Sequence, residues 1–173
     1  MKTLFTQLSR DCYSSLFFFI VNGVKSASKF HLDMKHCVCS ANSIGHLCEY
    51  IIKVSQKDFP EKSAVQGVVS EFSHLFNELF RSVAEVIILE DSNYMWSLSK
   101  PLLGLIIVNE HSFEEIKRIV IPKASTSAEA QGKLYEAISN LMTGVSRSMD
   151  IKNRDRFSKN FSTLRQTLSN LNN

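Results

Sequence analysis

Between Trp96 and Asn109 the chain reads Trp-Ser-Leu-Ser-Lys-Pro-Leu-Leu-Gly-Leu-Ile-Ile-Val-Asn, and this run restricts the fold more than any other stretch. Ser99 is a capping-type residue, and Pro101 falls in the first turn of a helix, where its missing N–H costs nothing. Apolar side chains then occur on almost every side, so the segment requires burial from several directions at once. A second run opens at Lys152-Asn153-Arg154-Asp155-Arg156-Phe157. Its apolar residues Phe157, Phe161, Leu164, Leu168 and Leu171 recur at steps of three and four, with basic residues between them. That helix needs one partner face only. A wholly buried helix followed by amphipathic helices that shield it is how stacked helical hairpins close at an end.

Elsewhere, polar–apolar alternation over strand length is missing and spacings of three and four recur, which predicts an all-α chain. Helices are expected at residues 4–24, 34–54, 63–89, 99–109, 113–121, 127–147 and 150–171. The third carries a continuous stripe from Val65 through Phe72, Phe76, Leu79, Phe80 and Val83 to Ile87. Ser63 with Gln66, Ser112 with Glu115 and Thr126 with Glu129 have the capping-box spacing, and Asp150 is placed to cap the last helix. Pro122 is expected to stop the fifth helix at Ile121, because a residue before proline is pushed away from helical geometry. About seven helices with short connections pair into antiparallel hairpins. A HEAT-like repeat takes about 40 to 47 residues, so about four fit. A closed helical bundle is the structural alternative.

The chemistry-bearing residue types are sparse. The 173 residues carry a formal charge of +3, too little to imply nucleic acid, but Arg147 to Asn173 holds six basic and two acidic residues. This cationic end suits an acidic partner or a solvated face. Arg154 and Arg156 flank Asp155 and fan out around the helix, so they form no single stripe. The run Leu16 to Val21 is too short to cross a bilayer, and Ser26-Ala27-Ser28 imitates a cleavage site only loosely. Cys12, Cys37, Cys39 and Cys48 read as reduced thiols. His36, Cys37, Cys39, His46 and Cys48 are metal-ligand types, but one helix spreads them over several turns and around its axis, so no metal site is expected. The six glycines stand singly, which removes any phosphate-cradling loop. Glu90 with Asp91 and Glu114 with Glu115 diverge as surface charge, and His74 and His111 lack an obvious partner. No catalytic residue and no cofactor is expected. The sequon Asn160-Phe161-Ser162 places Phe161 on a buried helix face, and Trp96 is expected to pack between neighbouring hairpins.

Leu89-Glu90-Asp91, the block Trp96 to Asn109 and the run Lys152-Asn153-Arg154-Asp155-Arg156-Phe157-Ser158-Lys159-Asn160 together resemble the carboxyl-terminal end of the exportin seven group of nuclear transport receptors, within the importin-beta-like karyopherins. The Cys-bearing stretch Met34 to Ile52 is similar to a Cys-rich helix of the same group. The resemblance implies HEAT-like antiparallel helix pairs stacked as an α-solenoid fragment. It also implies a receptor that binds Ran in its GTP form together with protein cargo, meets nuclear pore proteins, shuttles between nucleus and cytoplasm, and catalyses nothing. Since family members are several times longer, the chain would supply only the last few repeats. The residues expected to meet a partner are Lys152, Arg154, Arg156 and Lys159, with Asp155 orienting its neighbours. An array interrupted upstream leaves its first hairpin uncovered, so an apolar patch is expected around Leu16 to Val21. Two other readings stay open: a stand-alone helical scaffold for an acidic protein, and a secreted helical protein with two disulfides.

Overall fold

The computed structural model describes residues 34–56, 62–89 and 95–172. The helix expected at residues 4–24 and the apolar patch expected at Leu16 to Val21 lie outside the described residues. Seven α-helices follow in order: α1 (Met34–Gln56), α2 (Lys62–Glu71), α3 (Ser73–Leu89), α4 (Ser99–Val108), α5 (Glu110–Ala124), α6 (Ala128–Ser139) and α7 (Ile151–Asn172), with 3-10 turns at Met95–Leu98 and Asn140–Met142. Among the described residues there is no strand. The helices stack in two rows. One row runs α1, α4, α7 and the other α3, α5, α6, with α3 and α5 each also touching α4, and α6 touching α7. This is an all-helical slab of packed helix pairs.

The helix that sequence marked for burial on all sides occupies the middle of the first row. Pro101, Leu102, Leu103, Gly104, Leu105 and Ile106 of α4 are all buried. Its contact with α1 depends on Gly104, where an added Cβ would lie 2.5 Å from the Cβ of Cys48. The missing side chain lets the two helix backbones approach closely. Complete burial pushes the Cys48 thiol from its ordinary 9.0 up to about 12, because a thiolate there would lose its hydration. At the outer edge of this contact Lys100 bridges to Glu49 at 2.9 Å. The amphipathic stripe of α7 behaves as its spacing requires, with Phe157, Phe161, Leu164 and Leu168 buried and Leu171 packed against the same core.

Several boundaries differ from expectation. The stripe at residues 63–89 is divided at Phe72, whose carbonyl accepts N–H groups from both Leu75 (2.9 Å) and Phe76 (3.2 Å). The division falls where burial changes: α2 buries none of its residues, while α3 buries Phe76, Leu79, Phe80 and five others. The fifth helix starts at Glu110 and continues through Pro122 to Ala124. Pro122 removes one ladder hydrogen bond, but only in the last turn, and buried Val120 and Ile121 hold that turn in place. The helix expected to reach residue 147 ends at Ser139 and passes through a 3-10 turn to Gly144, whose φ of 70° only glycine adopts freely.

Capping differs as well. Ser99 donates its hydroxyl to the Trp96 carbonyl (3.0 Å) and caps nothing, because the preceding 3-10 turn feeds directly into α4. Ser112 sits inside α5 and donates to Asn77 Oδ1 of α3 at 2.7 Å, in place of the expected cap. The cap of α6 is Ser127, accepting from the Ala130 N–H, one residue after Thr126. Asp150 does cap α7, accepting from the Asn153 N–H at 2.9 Å. Asn109 ends α4 and begins α5 by itself, with φ −120° and ψ 43°.

Candidate protein-interaction face

The run Lys152 to Asn160 builds the first turns of α7, and its polar residues divide between two tasks. Asn153, Arg156 and Asn160 sit at spacings of three and four and therefore share one side of the helix. All three grip the connection that precedes α7. Asn153 is buried; its Nδ2 donates to the carbonyls of Ser146 and Ser148, both at 2.6 Å, and its Oδ1 accepts from the Ser146 N–H at 2.8 Å. Arg156 donates to the Gly144 carbonyl (2.7 Å), and Asn160 donates to the carbonyls of Leu141 and Thr143, both at 3.0 Å. Several carbonyls of the connection between α6 and α7 are thus satisfied by one helix face. Gln56 adds a bond to the Arg147 carbonyl, and Arg147 pairs with Glu110. A hydrogen bond from Ser148, then one from the Asn153 N–H, hold the Asp150 carboxyl below its ordinary range.

The four cations expected at a partner contact are therefore not equivalent. Lys152 and Lys159 are exposed and, seven residues apart, lie on the same outward side of α7. Arg156 is exposed next to them, with its guanidinium committed to the loop. Arg154 is half-buried on the other flank, beside Ser99, Lys100 and Leu103 of α4. Lys100 first, by hydrogen bonding, holds the Glu49 carboxyl down, and the charge of Arg154 adds to it. Asp155 is exposed and makes no ion pair among the described residues.

One polar cluster escaped sequence reasoning. In the second row, Lys117 is only 3% exposed. Its ammonium pairs with Glu114 at 2.5 Å, donates to Ser139 Oγ at 2.9 Å, and lies 4.4 Å from the Tyr135 ring centre and 4.9 Å from that of Phe113. Tyr135 donates to Glu114 at 2.8 Å, and the hydrogen bonds from Lys117 and Tyr135 lower the Glu114 carboxyl. Every strong partner of the lysine is used within the α5–α6 pair, so the cluster joins helices and presents no free base or acid. Its only trace in the sequence is the spacing of Phe113, Glu114 and Lys117 on one helical face.

Trp96 was singled out by sequence but placed wrongly. It is 47% exposed rather than packed between hairpins. The 3-10 turn at Met95–Leu98 carries it to the edge of the slab, where its ring meets Phe161 of α7 edge-on at 6.0 Å and Arg165 covers its face at 5.2 Å. Among the described residues no cluster of His, Cys, Asp and Glu is arranged to hold a metal ion, and no helix is long and apolar enough to cross a membrane. Between the rows lies a void of about 20 Å³, lined by residues such as Phe80, Leu102, Phe113 and Leu164. The described surface carries exposed charge on α7 and an exposed ring at Trp96.

The chain is 30% identical over 146 residues to exportin-7-B of Xenopus laevis, 30% identical over 139 residues to Ran-binding protein 17 of Mus musculus, and 32% identical over 152 residues to Ran-binding protein 16 of Drosophila melanogaster. These matches take in 77–81% of the chain but only 13–14% of each relative, so the chain spans about one eighth of their length. No family model matches it, and no solved structure does.

Proposed function

Because this chain belongs to the family of exportin-7 and the Ran-binding proteins 16 and 17, we propose that it forms the carboxyl-terminal helix pairs of a nuclear transport receptor, one that carries protein cargo out of the nucleus together with Ran in its GTP form. The observation that supports this most is the identity along some four fifths of the chain, joined to an all-helical slab of stacked pairs. Stacked pairs suit such work because each moves slightly against the next, and small rotations add up along an array. In this reading the receptor shuttles between nucleus and cytoplasm through contacts with nuclear pore proteins. It binds and does not catalyse. Lys152 and Lys159 on the outward side of α7, with Arg156 beside them and Arg154 on the opposite flank, supply the partner contacts.

The test is retention of Ran on the longest product that contains these residues, with Ran loaded with a non-hydrolysable GTP analogue or with GDP. Preferential retention of the GTP-analogue form is expected. Equal retention of both forms, or none, overturns the transport reading. The exposed charge of α7 also suits one second reading, a stand-alone helical scaffold without transport activity. That scaffold retains a protein partner with no dependence on nucleotide.

A further inference from the structure

At the edge of the slab exposed Trp96 pairs with half-buried Arg165. A core tryptophan would sit between helices with its N–H bonded; this one holds an edge against Phe161 and leaves 47% of its surface in solvent. Arg165 lies over its other face and has no carboxylate partner among the described residues. Stacking on the ring leaves the guanidinium N–H groups free to donate outward. An open groove runs from this pair along α7, lined by Ser162, Gln166 and Asn170. Arg165 is the one charged residue lining the groove, and no carboxylate lines it. A rigid exposed tryptophan, a stacked arginine and a rim of amides and hydroxyls match the composition of binding hot spots.

We propose that the Trp96–Arg165 groove is a docking site for an acidic segment of another protein, one carrying carboxylates next to an aromatic or aliphatic side chain. A carboxylate takes the free donors of Arg165, the apolar side chain covers the open part of the indole, and Gln166 and Asn170 bond the backbone of the segment. This deepens the reading of the chain as a protein-binding element and rests on that part of it, but it requires neither Ran nor transport. The site is separate from the outward lysines of α7, because Lys152 and Lys159 lie on the far side of that helix from Arg165.

Trp96 is the single tryptophan of the chain, so its fluorescence reads the site directly. The probe is a synthetic octapeptide, Glu-Glu-Phe-Glu-Glu-Phe-Asp-Glu with blocked ends, titrated into the whole chain. A saturable blue shift with half-saturation at roughly tens of micromolar is expected, the range of small contacts. Arg165→Glu should weaken it by about tenfold or more and Gln166→Glu by about threefold, with circular dichroism unchanged for both, while Lys152→Glu leaves the titration as it was. Replacing every acid of the peptide by its amide should abolish the shift. Absence of a saturable shift, an equal shift with the amide peptide, or unaltered binding by Arg165→Glu overturns the proposal. So does a shift that grows with chain concentration in the absence of peptide, which would make a second copy the occupant. A chain that takes the peptide but retains no Ran leaves this site standing and removes the transport reading; the opposite pair of results does the reverse.

Discussion

The α1–α4 contact and the α7 clamp hold neighbouring parts of the slab by opposite means. At the first, buried apolar side chains and the absent side chain of Gly104 bring two helices together, and geometry is enforced by exclusion of volume. At the second, Asn153, Arg156 and Asn160 hold an irregular connection by hydrogen bonds to carbonyls. The first tolerates no addition and the second tolerates no loss. Dense packing has no room to accept a methyl group, whereas a buried amide that leaves its carbonyls unpaired imposes their full desolvation cost.

Gly104→Ala is the severest probe of this contrast. Its new Cβ meets the Cβ of Cys48, so the helices must separate, and a loss of about 3 kcal/mol is expected from chemical denaturation. Cys48→Ala keeps the obstructing Cβ and should give no rescue; a rescue would show that the thiol, not the helix approach, sets the limit. Asn153→Leu tests the other side at similar volume. It strands the Ser146 N–H and the Ser146 and Ser148 carbonyls, and about 2 kcal/mol should be lost. Faster amide exchange confined to residues 143–150 would accompany it. A uniform exchange change across α1 and α4 would erase the distinction between the two regions.

Two pH effects sharpen the same comparison. Because the Cys48 thiol is pushed up to about 12 in the folded chain, its contribution is complete below the ordinary 9.0 and is lost as pH rises from there toward 12. Stability at pH 10 should be lower by about 1 kcal/mol, and Cys48→Ala should remove that dependence. The Glu49 carboxyl is lowered by Lys100, so its contribution is present above its ordinary 4.5 and is lost as pH falls below that value. The bridge is partly solvated, and Glu49→Gln should cost only about 0.5 kcal/mol in urea denaturation at neutral pH.

Helical periodicity made α4 and the buried face of α7 legible before any coordinates, since a side chain's place on a helix follows from its number alone. The likeness to exportin-7 was legible for a related reason: Trp96 to Asn109 and Lys152 to Asn160 are contiguous runs. Breaks and caps were read less well. Ser112 has the right spacing for a cap, yet its hydroxyl goes to Asn77, thirty-five positions away in sequence. Thr126 and Ser127 are both competent caps, and the position of the helix axis chooses the second. Among the expected contact residues, Arg156 looked like a free cation until the loop placed the Gly144 carbonyl beside it.

By itself the sequence determined that the chain is helical, which helix must be central, and which face of the last one must be covered, because hydrophobic burial is set by composition and by a local repeat of 3.6 residues. Only tertiary structure decided that Trp96 stands at the edge with Arg165, that Lys117 is enclosed by two aromatic rings, and that Asn153 closes a loop. Those outcomes depend on which polar atoms from distant segments arrive within about 3 Å of one another, and no local spacing encodes that distance.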